Sequence, residues 1–296
     1  MTSLSRLASS GFSRTPVLIM LVLLSALYTQ TTFAVAMQGL FEVEILVTDE
    51  TRPIRQAALA DGLAEVLVRV SGGRGILQKI NPPSANAYVK QFRYVVIEPK
   101  PTDVSRQDQD ETQVIAHHRL RVQYNATKIM ALLRKNAIPI WGEHRSQVVI
   151  WLAVRDGTNQ YILGDQDISL IKKQANNAFQ RRGIPAIWPH NDSRDQRELS
   201  FADVWAGFTG PMQQASKRYT KGPVVSASMA WNGYSWTGNW SLFMGRDSRR
   251  WTLEERDYED LISQAIDLVA DAMGQKFAVL EATGTEGLKQ ILVEID

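Results

Sequence analysis

The 296-residue sequence contains no cysteine and only four histidines. The absence of cysteine excludes disulfides, thiolate metal sites, cysteine nucleophiles and a lipidated N-terminal cysteine. The sequence also lacks G-x-S-x-G, H-E-x-x-H and G-x-x-x-x-G-K-[ST] motifs, and no dinucleotide-binding fingerprint follows a predicted strand. We therefore assign no catalytic, cofactor-binding or metal-binding residue from the sequence, and we expect no cofactor.

The charges are nearly balanced, which leaves little attraction for a polyanion. The chain has 33 basic and 31 acidic residues, and Arg6 and Arg14 are the only charged residues among the first 36. Without those 36 residues the basic and acidic totals are equal, because two basic residues and no acidic residue are lost. Nucleic-acid binding and electrostatic adhesion to a membrane are therefore not expected.

Residues 1–36 have the composition of a secretory signal peptide. A basic start precedes the apolar run Val17–Leu27, and residues 34–36 supply an A-x-A cleavage motif. The run is shorter than the ~20 residues that span a membrane. We expect cleavage after Ala36 and a periplasmic protein that begins at Met37 and has no transmembrane span. An uncleaved membrane anchor is the alternative.

Residues 37–140 are predicted to form a small α+β domain. Apolar and charged residues alternate over residues 40–47, which indicates a strand with one exposed face. Thr51 then precedes a helix whose apolar residues recur at helical spacing as far as Val70. This order suits a split β-α-β sheet that takes its last strand from beyond a linker near residues 137–146. The other predicted elements are a helix from Asn81, strands at 92–97 and 114–124 joined by an exposed loop at 100–112, and a helix at 125–136.

The first predicted helix runs into the stretch VLVRVSGGRG at residues 66–75, which holds three glycines. A phosphate-binding loop needs its glycines after a strand and before a helix, where backbone N–H groups face the anion. Here the glycines follow a helix, where carbonyl groups are exposed and the helix dipole is negative. We predict that Gly72 or Gly73 ends the helix in the left-handed conformation. An anion site at Arg74 is the alternative.

Residues 146–280 are predicted to form an α/β domain with a tryptophan-rich β-hairpin. The apolar run at 148–154 indicates a central strand covered on both faces, and Asn232-Gly233 predicts a hairpin turn. The whole chain is thus expected to be α+β or α/β, with two small domains that each layer helices on a sheet. Further strands are predicted at 184–188, 223–231, 234–244 and 249–255, and helices at 167–182, 201–208, 212–219 and 258–277.

All eight tryptophans lie between Trp141 and Trp251. In the predicted strand 234–244, Trp236 and Trp240 share one face, and small polar residues share the other. These aromatics either pack against a helix or form an exposed platform that stacks on the sugar rings of a glycan. The hydrophobic helix at 258–277 needs a sheet to cover, which favours packing.

His190 and Asp192 form the one local pair of a histidine and a carboxylate in the sequence. Asp156, Asp165 and Asp192 are dispersed carboxylates that would serve a hydrolase only if the fold brought them together. The candidate residues for a ligand or partner surface are Trp236, Trp240, Arg74 and His190.

Three segments carry a resemblance to a known family: VEILVTDETRPIRQAALADGLAEVLVRVSGGRGIL, VVIWLAVRDG and ASKRYTKGPVVSASM, the last of which leads into the tryptophan-containing hairpin. With the signal peptide, they resemble the proteobacterial envelope proteins catalogued as domain of unknown function 2066 (DUF2066), over nearly the whole mature chain. Members often continue into another small α/β unit. The strand-like residues 281–296 are therefore expected either to begin a truncated further unit or to end a shorter member.

The resemblance implies an envelope setting and no reaction. The predicted helix at 212–219, with the strand and hairpin that follow it, is also loosely similar to α/β domains of bacterial envelope lipoproteins that bind and activate cell-wall synthases. We expect a non-catalytic periplasmic binding or assembly factor whose partner is another envelope protein or a cell-wall component. The alternatives are a glycan- or solute-binding module that uses the aromatic hairpin, and a hydrolase with dispersed carboxylates.

Overall fold

A computed structural model describes residues 34–81, 84–96 and 118–281. These residues form helices and sheets in the α+β arrangement that the sequence predicts. Their strands fall into a three-stranded sheet, a six-stranded sheet and a two-stranded pair. Separate hydrophobic cores line the two larger sheets, the first drawn from residues 43–140 and the main core of the second from residues 141–273.

The three-stranded sheet is antiparallel, in the order β2-β4-β3, and α1 packs on one of its faces. Alternation places Val43, Leu120 and Val122 on the buried face, whereas Glu44 and Arg121 form an ion pair on the other face. The elements of this part are β1 (Ala34–Ala36), β2 (Glu42–Val47), α1 (Arg52–Ser71), α2 (Ile76–Lys79), a 3-10 turn (Ala85–Tyr88), β3 (Val89–Val96), β4 (His118–Tyr124), α3 (Ala126–Lys135) and β5 (His144–Ser146).

The glycine-rich stretch ends α1, as the sequence predicts. Pro53 lies in the first turn of the helix, where its missing N–H costs no hydrogen bond. Gly72 follows the last turn with φ of 81°, and its N–H donates to the carbonyl oxygen of Val68. The prediction of a left-handed helix end is therefore confirmed.

The six-stranded sheet is mixed, in the order β11-β10-β9-β6-β7, with β8 paired to β6. The predicted hairpin at Asn232-Gly233 is confirmed, because β9 and β10 pair antiparallel around it. The elements are β6 (Val148–Asp156), β7 (Asn159–Ile162), α4 (Leu170–Arg182), β8 (Ala186–Ile187), α5 (Ser193–Glu198), α6 (Phe201–Ala206), α7 (Thr209–Ser216), β9 (Val224–Trp231), β10 (Trp236–Met244), β11 (Asp247–Glu255) and α8 (Tyr258–Phe277).

Helices cover the two faces of this sheet to different extents. On the first face, α4 and α8 pack over a core that includes Ile150, Val225 and Trp240. On the second face, a smaller core that includes Trp151 and Met212 lies against α6 and α7 near the centre of the sheet. The described helices leave the second face open toward β10 and β11, where the side chains that line the opening are polar.

Residues near the predicted linker at 137–146 are buried between the two cores. The guanidinium of Arg145 is fully buried and lies 4.1 Å from the ring centre of Trp141. It donates five hydrogen bonds of 2.8–3.0 Å to backbone carbonyls. Several of these carbonyls belong to the C-terminal ends of α1 and α4, where the helix dipole favours a cation. The acceptors are the carbonyl oxygens of Arg69, Trp141, Gly142, Arg182 and Gly183.

Burial and the neighbouring Arg69 and Arg182 lower the pKa of Arg145 to about 9, so the side chain stays charged at neutral pH. Arg145 thereby ties the end of α1 to the end of α4. The division into domains at 37–140 and 146–280 stays a prediction, but the two parts are in contact through this arginine.

Several sequence predictions are wrong in this region. The helix expected from Asn81 is instead a 3-10 turn followed by β3, which begins at Val89 and pairs with β4. The three-stranded sheet takes no strand from beyond the linker, because β5 pairs with β1. The strand expected at 184–188 is reduced to the two residues of β8. The loop at 100–112 and the tail from residue 282 lie outside the described residues.

Candidate functional site

Arg74 lies in an ion-pair network between the end of α1 and the face of α8. Its Nε is 2.8 Å from Oδ2 of Asp271, and its backbone N–H donates to the same carboxylate. Arg182, at the end of α4, also pairs with Asp271, at 2.6 Å, and with Asp267, at 2.9 Å. Arg74 is thus already paired with carboxylates of α8. This pairing favours the interpretation of the glycine-rich stretch as a helix end over its interpretation as an anion site.

The aromatic stripe of β10 faces α8. Trp240 has no exposed surface and belongs to the main core. Trp236 is half-buried, with its ring edge-on to Tyr258 at 6.1 Å. Trp240 therefore cannot form a surface for a partner or a glycan, and Trp236 offers only part of its ring.

His190 lies beside Asp165, not beside Asp192. The Nδ1 atom of His190 is 2.6 Å from Oδ2 of Asp165, and both side chains are partly exposed. The two residues meet because the backbone N–H of Asp165 donates to the carbonyl of Pro189. The hydrogen bond from His190 lowers the pKa of Asp165.

Asp192 has a different role, because its carboxylate accepts hydrogen bonds from backbone N–H groups in the first turn of α5. Arg218 binds both oxygens of Asp192, at 2.8 and 2.9 Å, and also the buried carboxylate of Asp195. The hydrogen bonds from Arg218 hold the pKa of Asp192 well below its usual range. Tyr219 donates to Asp195 at 2.5 Å, and burial raises the pKa of this tyrosine.

The dispersed carboxylates do not converge. Asp165 pairs with His190, Asp192 pairs with Arg218, and Asp156 lies at the exposed end of β6. Within the part of the chain that the structure describes, no group of three or more histidines and carboxylates is arranged to hold a metal ion. Asp156, Asp165 and Asp192 thus lie in separate surroundings in the described structure.

A cleft of about 250 Å³ lies on the second face of the six-stranded sheet, between α6 and the open part of β9, β10 and β11. We call it the α6 cleft. Val204 and Trp205 form its wall on the α6 side. The side chains of its floor, given by strand alternation, are those of Ser226, Ser228, Asn239, Ser241, Arg250 and Thr252.

The floor of the α6 cleft is built as two rows across three strands. Ser226, Ser241 and Arg250 are direct cross-strand neighbours and form the first row. Ser228, Asn239 and Thr252 form the second row. Alternate residues of a strand point to the same side of the sheet, so these six side chains all lie on the face opposite the tryptophan stripe. As neighbours across the strands, they form a continuous polar surface.

The wall of the α6 cleft is held in place by stacking. The guanidinium carbon of Arg155 lies 4.1 Å from the ring centre of Trp205. Phe201 stacks on the same tryptophan with a centroid distance of 5.5 Å and an interplanar angle of 21°. Ser200 caps α6 through a reciprocal capping box with Asp203, which fixes the start of this short helix. The indole of Trp205 is therefore positioned by several independent contacts.

A second depression, of about 630 Å³, lies between α3 and the segment that joins α2 to the 3-10 turn. Lys79, Lys128 and Lys135 surround an apolar floor formed by Ile80 and Tyr88. Lys128 already donates to a backbone carbonyl of the 3-10 turn, at 2.8 Å. This depression lies on the part of the chain that carries α3, and its lining shares no residue with that of the α6 cleft.

The sequence did not identify the α6 cleft, although one signal was present. Small polar residues alternate with apolar residues in β9 and β10, a pattern that indicates a face without a deep hydrophobic cover. Trp205 and Arg250 carried no signal of their own, because their role depends on which part of the sheet α6 covers.

Comparison with known proteins gives a match for part of the chain. The family described as Domain of unknown function (DUF8605) matches residues 34–142, which hold the three-stranded sheet, α1 and α3. The chain is thus similar to a domain of unknown function in this part, but the matching family is not DUF2066. No curated protein and no solved structure matches the chain. None of the helices within residues 34–81, 84–96 and 118–281 has the length and apolar content that crossing a bilayer requires.

Proposed function

We propose that the chain is an exported, non-catalytic protein that works in the periplasm by binding another component of the cell envelope at the α6 cleft. The observation that carries this proposal is the open polar face beside α6, on a sheet whose opposite face is covered by α4 and α8. Binding sites are concave and orient their ligands through a small number of fixed polar groups, and the floor of the α6 cleft presents such groups on a sheet.

The proposal of a non-catalytic role rests on how the acids and bases of the described residues are used. Asp192, Asp195 and Arg218 bind one another, and Asp267 and Asp271 hold the ends of α1 and α4. Groups held in such contacts stabilise the fold and are poorly placed for proton transfer. His190 pairs with Asp165, and His118 pairs with Glu50. A dyad of this kind needs a nucleophile or an activated water to perform hydrolysis.

The proposed periplasmic location rests on the composition of residues 1–36. N-terminal sequencing of the protein from a periplasmic fraction tests it, with Met37 as the expected first residue. Because β1 spans Ala34–Ala36, cleavage after Ala36 would remove β1. Recovery of the chain with Met1 from the cytosol would contradict the proposal.

In-cell cross-linking tests the binding surface. A photoreactive amino acid placed at Asn239, in the floor of the cleft, should cross-link to a component of the envelope. The matched control is the same amino acid at Lys173, an exposed position of α4. Equal cross-linking from the two positions, or none from Asn239, would contradict the proposal.

A further inference from the structure

We infer that the α6 cleft binds an acidic saccharide, whose carboxylate lies on Arg250 and whose hydroxyls bond to Ser226 and Ser228. This inference rests on the proposed function, because it takes the cleft as the binding surface.

Two hydroxyl groups of the floor lack partners inside the protein. Ser226 and Ser228 are 3% and 4% exposed, and both line the cleft. Neither hydroxyl donates a hydrogen bond to any residue in the described ranges, whereas the buried Ser216 both donates to Met212 and accepts from Trp151. Both hydroxyls open onto the cleft, and a hydroxyl can donate one hydrogen bond and accept others, so they are available to a molecule that binds there.

Asn239 adds a donor to the same surface. Its side-chain oxygen accepts a hydrogen bond from the hydroxyl of Thr252, at 2.9 Å, which fixes the orientation of the amide. The side-chain NH₂ group makes no hydrogen bond within the described part of the chain. Together with the serines, it provides donors and acceptors in one concave surface, and hydroxyl groups match both kinds of partner.

The wall calls for a ligand that also has apolar faces. Trp205 is partly exposed and contributes indole atoms to the lining beside the hydroxyl rows, whereas Val204 is buried. A sugar ring presents C–H groups on its faces and hydroxyls around its edge, so it matches a polar floor with the exposed part of an indole beside it. The volume of about 250 Å³ is close to the lower end of the ~300–1,000 Å³ range of small-molecule sites, which suits about one ring of a longer chain.

The charge of the cleft favours an acidic sugar over a neutral one. Arg250 is the cation of the lining, and no acidic residue lines the cleft. In the described residues, Arg250 forms no salt bridge, in contrast to Arg74, Arg182 and Arg218. A guanidinium binds a carboxylate through two parallel hydrogen bonds, which gives both affinity and orientation.

A peptide is a poorer fit to this surface. A common way for an extended peptide to bind is to pair with the backbone of an edge strand, which beside the cleft is β11. The groups described above are side chains on the face of the sheet, and a peptide paired along the edge of β11 would not use them. The inference therefore commits to a saccharide, and a peptide is included as an outcome of the test.

The test is calorimetric titration of the full mature chain with a panel of soluble oligosaccharides. The acidic members are oligomers that contain glucuronate, galacturonate, N-acetylmuramate or sialate, and the neutral member is a cello-oligosaccharide of similar length. An acidic peptide of equal charge serves as the comparison ligand. We expect at least one acidic oligosaccharide to bind with a Kd below about 1 mM and at least about tenfold more tightly than the neutral one.

Variants then assign the contacts. Arg250→Gln should weaken binding of the acidic oligosaccharide about tenfold or more and remove its advantage over the neutral one. The double variant Ser226→Ala, Ser228→Ala should weaken both sugars. Arg249→Gln is the matched control, because Arg249 precedes Arg250 on β11 but points to the opposite face. Both arginines are exposed, and unchanged melting temperatures will show that these variants fold.

The outcomes separate this inference from the proposed function. Absence of binding by every acidic oligosaccharide, or equal loss with Arg249→Gln and Arg250→Gln, overturns the inference. Equal binding of the acidic peptide overturns the choice of a saccharide. If Asn239 still cross-links to an envelope protein in cells in either case, the proposed function stands. If Asn239 cross-links to nothing, the proposed function fails as well.

Discussion

Gly72 and Gly274 bring the backbones of α1 and α8 into direct contact, so a methyl group added at either position should weaken the fold. A Cβ atom at Gly274 would lie 2.0 Å from the carbonyl oxygen of Gly72. A Cβ atom at Gly72 would lie 2.7 Å from Cα of Gly274, and Gly72 also has a positive φ of 81°. The same chain offers two controls. Gly39 has a positive φ of 71° with no atom within 4 Å, and Gly73 has neither constraint.

The four alanine variants should therefore differ in a defined order. A left-handed alanine costs about 1–2 kcal/mol, and an extra methyl group forced against fixed neighbours costs about 1–3 kcal/mol or more. We expect Gly73→Ala to stay within about 0.5 kcal/mol of the wild type and Gly39→Ala to lose about 1 kcal/mol. Gly72→Ala combines both penalties and should lose about 2–4 kcal/mol. Gly274→Ala should lose about 2 kcal/mol net, because alanine regains up to about 1 kcal/mol of helix propensity.

Urea unfolding of the mature chain, followed by tryptophan fluorescence, measures these differences. All eight tryptophans lie at or beyond Trp141, so the signal reports on the part of the chain that contains α8. The denaturant dependence should stay the same in all four variants if only native-state strain changes. Equal stability of Gly274→Ala and Gly73→Ala would refute the close packing of α1 against α8.

Four further substitutions test other contacts. Trp240→Ala should lower the free energy of unfolding, measured with urea, by about 3–5 kcal/mol. Trp236→Ala should lower it by about half as much, because the Trp236 ring is only half-buried. Equal small losses for the two variants would show that the stripe does not face a core. Arg145→Leu should lower the stability measured by thermal unfolding by about 3 kcal/mol or more, because buried carbonyl groups lose their hydrogen-bond donor. A near-neutral result would contradict the link that Arg145 forms between the ends of α1 and α4. Asp192→Asn keeps an N-cap residue but loses the ion pair with Arg218. The ion pair lowers the pKa of Asp192 below its unfolded value of 3.8, so the ionised carboxylate stabilises the fold at pH values above 3.8. This stabilisation is lost as the pH falls through the folded-state pKa. The variant should thus be less stable near neutral pH and approach the wild type in acid, and a stability gap that stays constant on acidification would contradict the pairing.

Long, regular elements were predictable from the sequence. The predicted helix at 258–277 coincides with α8, because twenty residues of helical periodicity contain many independent signals. The turn at Asn232-Gly233 was also predictable, since Gly233 has a φ of 95° that few other residues tolerate. In both cases the determining interactions are local in sequence.

Elements that depend on distant partners were not predictable. Asn81 and the two prolines after it are helix-start signals that predict a helix as far as residue 92. Instead, β4 offers an antiparallel partner that makes Val89 the start of a strand. The strands β1 and β5 have three residues each, too few to show the alternation of apolar and polar residues that indicates a strand. They form because residues far apart in the sequence pair with each other, as Val35 does with Arg145, 110 positions later. Long-range pairing of this kind is absent from local patterns.

The candidate site was predictable only in part. The sequence identified His190 but paired it with Asp192, because sequence proximity does not reveal that the loop after β7 brings Asp165 closer. It also showed that small polar residues oppose the tryptophan stripe. The position of α6 decides which part of that polar face stays open, and this position follows from tertiary packing against Trp151 and Met212.

Hydrogen–deuterium exchange of the mature chain, with and without a soluble extract of the cell envelope, tests the central claim most directly. If the chain binds an envelope component at the α6 cleft, peptides that cover α6, β10 and β11 should exchange more slowly in the presence of the extract. Peptides from α3 and the lysine-lined depression near Lys79 and Lys128 should be unaffected. Protection confined to that depression, or no change over α6, β10 and β11, would contradict the account.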